Sequence, residues 1–495
     1  MYPTIETIKK LAASGEYRRI PVCRELYADR YTPVEVMRTL CKVSRHCYLL
    51  ESAGQSEVWG RYSFLGYDPA MEITCTDGLM RIRSTGKDGE SEEAVKRVAH
   101  PGKTLREIIN AFKSPVVEGL PPFTGGLVGY FSYDYMKYSE PKLKLSAHEE
   151  QDFRDMDLML FDRVIAFDHY RQRVLLIAGV MTENLEESYE KAVQRLQEMA
   201  ELVKAGEKKE FPVLKLHSEI RPQFPKEKYC GMVEKAKHYI REGDIFQVVL
   251  SNPMRAKAEG SLFDTYRVLR ATNPSPYMFY FSSDDIELAG ASPETLVKLQ
   301  NGKLSTFPLA GTRPRGKNRQ EDRRLEADLL KDEKELAEHN MLVDLGRNDI
   351  SRISRIGSVE VEKYLSVERF SHVMHLGSTV TGEIREDKDA VDAVDAILPA
   401  GTLSGAPKFR ACQIIEELEQ SKRGIYGGAV GYLDFAGNLD TCIAIRLVYK
   451  KNGAVCIRSG AGIVADSVPE KEFEECCNKA RAVMQAIHQA QEGLE

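Results

Sequence analysis

The segments PLAGTRPRG (residues 308–316) and ELAEHNMLVD (residues 335–344) decide what fold and site this sequence is expected to form. The first segment predicts a loop. The second lacks Gly and Pro and predicts a helix that ends near Gly346. On this helix Glu335 and Glu338 lie one turn apart on one face, among apolar residues that predict burial. Because a buried carboxylate is costly without a cation or donors, the pair indicates a metal site. A solvated face with ordinary salt bridges is the alternative.

A second helix with the same acidic pattern is predicted near the C-terminus. The sequence SVPE (residues 467–470) is a capping box with Pro in the first turn, and apolar residues follow at helical spacing. Glu472 and Glu475 lie one turn apart near its start. One carboxylate from each helix, with water and substrate oxygens, suits Mg²⁺, whereas the His or thiolate ligands of a zinc site are absent at both places. Which Glu of each pair contacts the metal stays open.

The composition excludes several classes of protein. The chain has 495 residues with 42% hydrophobic and 29% charged residues, as in globular proteins, and its net charge is −6. No basic block is present, so nucleic-acid or anionic-membrane binding is not expected. The N-terminus has no apolar signal core, no apolar run is long enough to span a bilayer, and the 10 cysteines do not form a disulfide pattern. A cytoplasmic location with reduced thiols is expected.

The best domain boundary is the polar segment 205–225, which contains Pro212, Pro222 and Pro225. It predicts an N-terminal domain at 16–204, a linker at 205–225 and a second domain, which carries both acidic helices, at 226–491.

Several residues near the two helices could bind an anion. Arg446 is predicted inside an apolar strand, where its guanidinium suits a carboxylate, although an internal salt bridge explains it equally well. Small residues, Gly460-Ala461-Gly462, end the next strand, and Gly311-Thr312 precedes the first helix. At both places backbone N–H groups could approach an anion, or the glycines could only allow close packing. Taken together, they indicate a small substrate with two carboxylates, one on Mg²⁺ and the other on Arg446.

Five segments together resemble the chorismate-utilising enzymes, and among these most the large subunits, component I, of anthranilate synthases. They are residues 308–316, 335–349, 371–380, 398–407 and 460–480, and the resemblance covers almost the whole chain. It implies that ammonia aminates chorismate and that pyruvate is eliminated to give anthranilate, the first step of tryptophan biosynthesis, with Mg²⁺ required. The fold we expect is a large α+β composite of antiparallel β-sheets packed face to face with helices outside.

The resemblance also implies roles for individual residues. Glu338 and Glu475 correspond to the metal ligands, supported by Glu335 and Glu472. The residues that correspond to chorismate contacts are Gly311, Thr312, Tyr426, Arg446, Gly460, Ala461 and Gly462. Those that correspond to catalytic groups are Glu294 as general acid, His375 as a catalytic histidine and Thr402 as a polar group near the reacting ring.

Two further positions bear on the nucleophile and the product. Gln247 stands where the water-using relatives carry a Lys base, and ammonia needs no base, so Gln247 favours amination. Ala310 stands where the 4-amino relative, aminodeoxychorismate synthase, often carries a nucleophilic Lys, so its identity favours anthranilate. That relative is the first alternative, and a catalytically silent, tryptophan-binding regulatory subunit is the second.

The resemblance also implies an inhibitor site and a partner. Ser52 and the stretch Pro276-Tyr277-Met278 correspond to the tryptophan feedback site, although Ser52 alone could be a strand-end cap. No Gly-x-Cys-x-Gly nucleophile turn is present, so a separate glutamine amidotransferase subunit, component II, is expected to supply ammonia. The expected assembly is a heterotetramer of two large and two small subunits.

Overall fold

The structure is a computed structural model that describes residues 1–52, 60–85, 91–145, 147, 153–369 and 373–494. Of the segment 371–380, residues 371 and 372 therefore lie outside the described residues. The helices in chain order are α1 (Ile5–Ala13), α2 (Pro33–Val43), α3 (Gly102–Ala111), α4 (Met136–Ser139), α5 (Leu185–Ala205), α6 (Lys226–Arg241), α7 (Phe263–Thr272), α8 (Arg319–Leu329), α9 (Glu333–Ser351), α10 (Ala390–Ile397), α11 (Lys408–Glu419) and α12 (Pro469–Gln491). Over these described ranges, no helix is both long and apolar enough to cross a bilayer.

The strands carry most of the core. In chain order they are β1 (Arg19–Tyr27), β2 (Cys47–Glu51), β3 (Tyr62–Tyr67), β4 (Met71–Thr76), β5 (Leu79–Thr85), β6 (Ser91–Arg97), β7 (Gly126–Phe131), β8 (Met156–Phe161), β9 (Arg163–Asp168), β10 (Arg173–Met181), β11 (Lys215–Leu216), β12 (Arg221–Pro222), β13 (Gln247–Glu259), β14 (Tyr277–Ser282), β15 (Ile286–Ser292), β16 (Thr295–Gln300), β17 (Lys303–Thr306), β18 (Leu309–Pro314), β19 (Glu360–Arg369), β20 (Val373–Glu383), β21 (Gly405–Ala406), β22 (Ala429–Asp434), β23 (Leu439–Ile443), β24 (Leu447–Lys451) and β25 (Ala454–Ile463).

These strands form two antiparallel sheets. The first has the spatial order β1-β10-β9-β3-β2-β14-β15-β24-β25-β13-β11, with β12 and β21 also on β13. The second has the order β18-β20-β17-β16-β23-β22-β7-β8-β4-β5-β6, with β19 on β20. Strands from before and after the segment 205–225 occur in both sheets. The chain on the two sides of that segment is therefore interleaved, and the division into two domains stays a prediction.

Alternating side chains show that the sheets pack face to face. On β14, Met278 and Tyr280 pack with the helices outside the first sheet, whereas Phe279 and Phe281 point to the layer between the sheets. This alternation is the two-residue period of a strand with both faces buried. On β22, Tyr432 enters the same inner layer from the second sheet. A third cluster packs α3, α9 and α10 on the outer face of the second sheet. The predicted α+β composite of face-to-face antiparallel sheets with outer helices is confirmed.

Two of the points at which the chain crosses from one sheet to the other are adjacent. The first crossing leads from β15 to β16 through Pro293 and Glu294, and the second leads from β23 to β24 through residues 444–446. Backbone bonds join them, since Ile443 N donates to Glu294 O at 2.9 Å and Ala291 N donates to Arg446 O at 3.1 Å. Arg446 has a positive φ of 51°. The prediction that Arg446 lies inside a strand is wrong. Both halves of its apolar run are buried, in different sheets, so the pattern hides the break.

Three other local predictions are also wrong. Residues 309–314 form β18 rather than a loop, with an irregular register opposite β20 and φ of +63° at Gly311. Helix α9 continues through Gly346, where a Cβ atom would lie 3.1 Å from Thr306 Cγ2, so this glycine allows close packing instead of ending the helix. Ser467 does not cap α12, because the N-cap is Val468 and the Ser467 hydroxyl accepts a bond from a backbone N–H that precedes it.

Candidate active site

Glu294, at the first crossing, is a carboxyl group that keeps its proton near neutral pH. Burial raises its pKa to about 7, against the opposing effects of a hydrogen bond from Thr402 and the positive charges of Arg446 and Lys479. Thr402 Oγ1 donates this bond to Glu294 Oε1 at 3.0 Å. A carboxyl group with a pKa near 7 can donate a proton at neutral pH and take one back, as a general acid must.

Thr402 is held by the short 3-10 turn Gly401–Leu403, which follows α10. The turn packs closely on α9, because a Cβ atom at Gly401 would lie 2.7 Å from Leu345 Cδ1. A larger residue at this position would require the Leu345 side chain or the turn to shift. The turn thus connects the acid at the crossing with the first acidic helix.

The structure places the two acidic helices within electrostatic reach of each other. Burial raises the pKa of Glu338, and the charges of Glu335 and Glu475 raise it further. Burial also raises the pKa of Glu472, with Glu475 adding to the effect. The predicted burial of the pair is wrong, because Glu338 is exposed and Glu335 is half-buried: α9 turns this face toward solvent. Carboxylates from α9 and α12 therefore repel one another across a shared cleft.

The donor set of this cleft fits a hard cation. All four groups offer oxygen, and within the described part of the chain no three of them bring their oxygens within 4.8 Å of one another. Two helix carboxylates completed by water and substrate oxygens match the way Mg²⁺ binds, better than an all-protein cage would. Two of these carboxylates also have a cationic partner, since Lys479 Nζ lies 2.8 Å from Glu475 and Arg313 Nη1 lies 3.7 Å from Glu335.

A different cluster meets the distance criterion for metal ligands. His46, Glu72 and Asp284 bring their ligand atoms within 4.8 Å of one another at the end of the sandwich near β4. Arg83 lies 3.6 Å from Glu72 and 3.3 Å from Asp284, so a cation already balances both carboxylates. This cluster is an ion-pair network.

His375 and Gly311 connect the second sheet to the cleft. His375 Nδ1 donates to the carbonyl oxygen of Gly311 at 2.8 Å, and burial lowers the pKa of His375, so its neutral form is favoured. A Cβ atom at Gly311 would lie 3.3 Å from Glu335 Oε2. The bulge in β18 therefore brings the Gly311 backbone between the histidine and the first acidic helix. The backbone of Thr312 follows in β18, and its side chain lies outside the described residues.

Strands β13 and β25 form the opposite wall, which brings together the other residues expected to contact chorismate. A Cβ atom at Gly462 would lie 2.5 Å from Gln247 Nε2, and one at Gly460 would lie 3.0 Å from Tyr426 Oη. Ala461 is buried between these glycines. Neighbouring atoms therefore fill the space beside both glycines, and Gly462 keeps part of its surface exposed whereas Gly460 is buried.

Arg446 points into the same space. Its side chain keeps exposed surface, yet surrounding protein lowers its pKa, and the charge of Glu294 opposes this effect. A guanidinium with exposed surface, whose charged form is disfavoured by the surrounding protein and favoured by Glu294, suits an anionic ligand. Hydrogen bonds and electrostatic effects thus link Glu294 to Thr402, Arg446 and Lys479, and Arg446 to His375. Lys479 bonds to Gly460 of the glycine strand, on which Gly462 lies against Gln247.

The residues predicted to bind tryptophan lie on adjoining strands. The register pairs Glu51 with Met278, which places Ser52 beside Tyr277 and next to Pro276. The Ser52 hydroxyl is buried and has no hydrogen-bond partner among the described residues. Tyr277 Oη donates to Asp440 at 2.8 Å and contacts Thr295 Oγ1 at 2.9 Å. Since Thr295 follows Glu294, this second group of residues contacts the crossing that carries the acid.

One cleft residue was missed in the sequence. Lys479 Nζ donates to Gly460 O at 3.1 Å, contacts Glu475 and contributes to the electrostatics of Glu294. Its position four residues after Glu475 on a predicted helix was the signal that could have identified it.

Comparison with known proteins gives the family. The family described as "chorismate binding enzyme" matches residues 45–485. "Anthranilate synthase component 1" of Acetivibrio thermocellus is 44% identical over 499 residues, covering 99% of both chains, and that of Aquifex aeolicus is 44% identical over 496 residues with the same coverage. The crystal structure of anthranilate synthase component I from Streptococcus pneumoniae TIGR4 superimposes with a TM-score of 0.75 at 39% identity, covering 87% of this chain and 94% of that chain. The chain therefore belongs to the chorismate binding enzymes and, within them, to the anthranilate synthase component 1 enzymes.

Proposed function

We propose that this chain converts chorismate and ammonia into anthranilate, pyruvate and water at the cleft around Glu294, with Mg²⁺ held between α9 and α12. The observation that carries the proposal is the placement of Glu294, an acid with a pKa near 7, beside Arg446 and the acidic helices. An acid is needed because the C4 hydroxyl of chorismate leaves only when it is protonated.

The two sides of the cleft bind different carboxylates of the substrate. Glu338 and Glu475 would hold the metal, with Glu335 and Glu472 in support, and when bound it would neutralise the ring carboxylate and withdraw charge from the ring. Arg446 and the backbone of residues 460–462 bind the enolpyruvyl carboxylate. With both carboxylates fixed, the C4 hydroxyl lies beside Glu294.

Glu294 then donates its proton to the departing hydroxyl, and Thr402 orients the carboxylate that remains. Ammonia adds at C2 with its own lone pair, which is why Gln247 suffices where a water-using enzyme needs a base. The added ammonium gives up one proton, which restores the acid form of Glu294. The C2 proton is then lost as the C3–O bond breaks, and the departing enolate takes up a proton at its methylene carbon to become pyruvate, so the ring becomes aromatic. His375, held neutral by its bond to the Gly311 carbonyl, lines the cleft without adding positive charge.

The source of ammonia is a separate glutaminase subunit, component II, in a heterotetramer of two large and two small subunits in the cytoplasm. The relatives' designation as component 1 supports a partner chain. The segment 16–204 contributes Ser52 to the tryptophan site, and 226–491 carries the catalytic residues and the rest of that site. The purified chain is expected to use ammonium salts but not glutamine, and turnover of glutamine by this chain alone would contradict the separate subunit.

Tryptophan is the inhibitor of this chain, bound between Ser52 and residues 276–278. The contact of Tyr277 with Thr295 supports a coupling to Glu294, because any shift of β14 on inhibitor binding moves the crossing. Ser52→Phe is expected to weaken inhibition by about tenfold or more, measured from the tryptophan concentration for half-inhibition. Ser14→Phe, an exposed position at the end of α1, is the control. Equal inhibition of both variants would remove the assignment.

The test of the activity is the fluorescence of anthranilate formed from chorismate, Mg²⁺ and ammonium. Anthranilate is expected as the product, and its identity is checked by chromatography against the 4-amino isomer. Formation of the 4-amino compound would favour the aminodeoxychorismate alternative, and binding of tryptophan without turnover would favour a regulatory subunit.

A further inference from the structure

A fully buried charge cluster lies behind the cleft. The side chains of Glu419, Arg423 and Arg458 are 0%, 1% and 4% exposed, so water does not screen them. Glu419 accepts bonds from Arg423 at 2.6 and 3.0 Å and from Arg458 at 2.6 Å. It also accepts bonds from the backbone N–H and the hydroxyl of Ser251, at 2.7 and 3.0 Å. A cluster with so many charged hydrogen bonds holds its partners in one geometry.

The remaining donors of Arg423 reach the backbone of two walls of the cleft. Its Nη1 donates to Leu403 O at 2.5 Å, in the turn that carries Thr402, and its Nη2 donates to Val249 O at 2.6 Å, two residues after Gln247 on β13. The planar guanidinium fixes the distance between these two carbonyl oxygens. Arg423 therefore bonds to both the Thr402 turn and β13, which the backbone bond from Val249 N to Ser404 O at 2.9 Å also connects.

Arg458 is bound in the same cluster but has a different backbone partner. It donates to Lys422 O at 2.6 Å and to the Ser251 hydroxyl at 2.8 Å. Lys422 carries no group of the candidate site, so Arg458 shares the burial, the charge and the acidic partner of Arg423 without a bond to the Thr402 turn. It is a matched control within one cluster.

We propose that Arg423 is a positioning residue for the reaction: by holding the Leu403 and Val249 carbonyls, it places Thr402 against Glu294 at a fixed distance from Gln247. This inference rests on the proposed function of Glu294 and Thr402. Arg423 touches neither substrate nor reacting atoms and acts only through the turn and the strand. Since a displacement of about 1 Å in a catalytic group lowers a rate by up to about 100-fold, loss of one of the two carbonyl bonds has a measurable effect.

The experiment is a double-mutant cycle between Arg423→Lys and Thr402→Val, with anthranilate formation from chorismate and ammonium as the readout. Lysine keeps the positive charge beside Glu419 but lacks the planar set of N–H donors that reaches both carbonyl oxygens. We expect kcat to fall about 10- to 100-fold with the chorismate KM changed less than about threefold. If Arg423 acts through Thr402, the double variant loses about as much as Arg423→Lys alone, because the Thr402 contact is already displaced.

The control cycle pairs Arg458→Lys with Thr402→Val, and here the two losses are expected to multiply. Thermal unfolding and near-ultraviolet circular dichroism establish that each variant is folded. If Arg423→Lys does not fold, Arg423→Gln takes its place, because Glu419 keeps its bonds from Arg458 and from Ser251. The same loss of kcat and the same non-additivity with Thr402→Val are expected.

Failure of the positioning role and failure of the proposed function give different experimental results. Losses that multiply in the Arg423 cycle, in an enzyme whose unsubstituted form makes anthranilate, overturn the positioning role and leave the proposed function intact. An unsubstituted chain that makes no anthranilate overturns the proposed function itself. A normal kcat in folded Arg423→Lys also overturns the positioning role.

Discussion

The two halves of the cleft are built in different ways. The acidic half consists of side chains one turn apart on the helices α9 and α12, whereas the half with Glu294 and Arg446 consists of two points where strands leave one sheet for the other. A helix face follows from local spacing, because residues three and four apart always lie together. A crossing between sheets depends on which distant strands pair, so the first half is visible in the sequence and the second is not.

The two halves are also expected to fail differently when they are altered. Loss of Glu294 removes the proton donor for bond breaking and should lower kcat. Loss of a helix carboxylate weakens the hold on the metal and on one substrate carboxylate, and excess metal should partly restore the rate. The variants that follow separate these effects, from the largest to the smallest.

Glu294→Gln is expected to have the largest effect. General acid catalysis contributes about 10²- to 10⁴-fold, and the amide keeps the size of the side chain but has no acidic proton, so kcat should fall by that factor. The measurement is anthranilate fluorescence at saturating chorismate and Mg²⁺. A decrease of less than about tenfold would mean that the departing hydroxyl takes its proton from elsewhere, and the distinction between the two halves would be lost.

Glu338→Gln and Glu475→Gln are expected to lower the rate at fixed Mg²⁺ by about 10- to 100-fold and to raise the Mg²⁺ concentration for half-activation. Excess Mg²⁺ should recover part of the rate, which it cannot do for Glu294→Gln. Glu474→Gln is the control, since its side chain is on α12 but 66% exposed and pairs only loosely with Lys226 at 3.9 Å. An unchanged Mg²⁺ requirement in both variants would place the metal elsewhere.

Thr402→Val is expected to have a moderate effect with a defined sign. The hydrogen bond from Thr402 lowers the pKa of Glu294, so its removal raises that pKa, and the acid form persists to higher pH. The pH above which kcat/KM decreases should therefore be higher than in the unsubstituted enzyme. The rate itself should fall about threefold to tenfold, because the carboxyl loses its orientation. A decrease that begins at lower pH would contradict the direction of this bond.

Gly346→Ala is expected to have the smallest effect. Alanine favours a helix by about 1 kcal/mol over glycine, and a Cβ atom 3.1 Å from Thr306 Cγ2 opposes this gain, so the net change in the free energy of unfolding should stay within about 1 kcal/mol. Urea unfolding followed by circular dichroism measures it. A destabilisation well above about 1 kcal/mol would be expected if α9 ended at Gly346 in a left-handed conformation, as the sequence alone predicts.

Local sequence patterns predict the structure correctly where it depends on a single helix or strand. Both Glu-x-x-Glu pairs lie on helices, α9 and α12, as their spacing predicts. The segment with Ser292 and Glu294 shows only a turn in the sequence, and its place in the cleft was expected solely from the family resemblance. No local signal exists there, because the proximity of Glu294 and Arg446 comes from strands more than a hundred residues apart in the chain.

The same reason accounts for the wrong and the missing predictions. Arg446 was expected inside one strand because burial on both sides of a crossing leaves the apolar pattern continuous. The cluster of Glu419, Arg423 and Arg458 was not foreseen, since each residue looks like an ordinary charged residue until the fold removes it from water. Residue spacing in the sequence predicts which side chains share a face of one helix or strand. Buried charge clusters and crossings between sheets depend on how distant elements pack together.

The most direct test of the central claim is the pH dependence of kcat/KM for chorismate at a constant concentration of free ammonia. If Glu294 is the acid, the rate should be level below its pKa of about 7 and fall tenfold per pH unit above it, because only the protonated form donates. The fall should be absent from the residual activity of Glu294→Gln. A profile that stays level through pH 9, or the same fall in Glu294→Gln, would contradict the account.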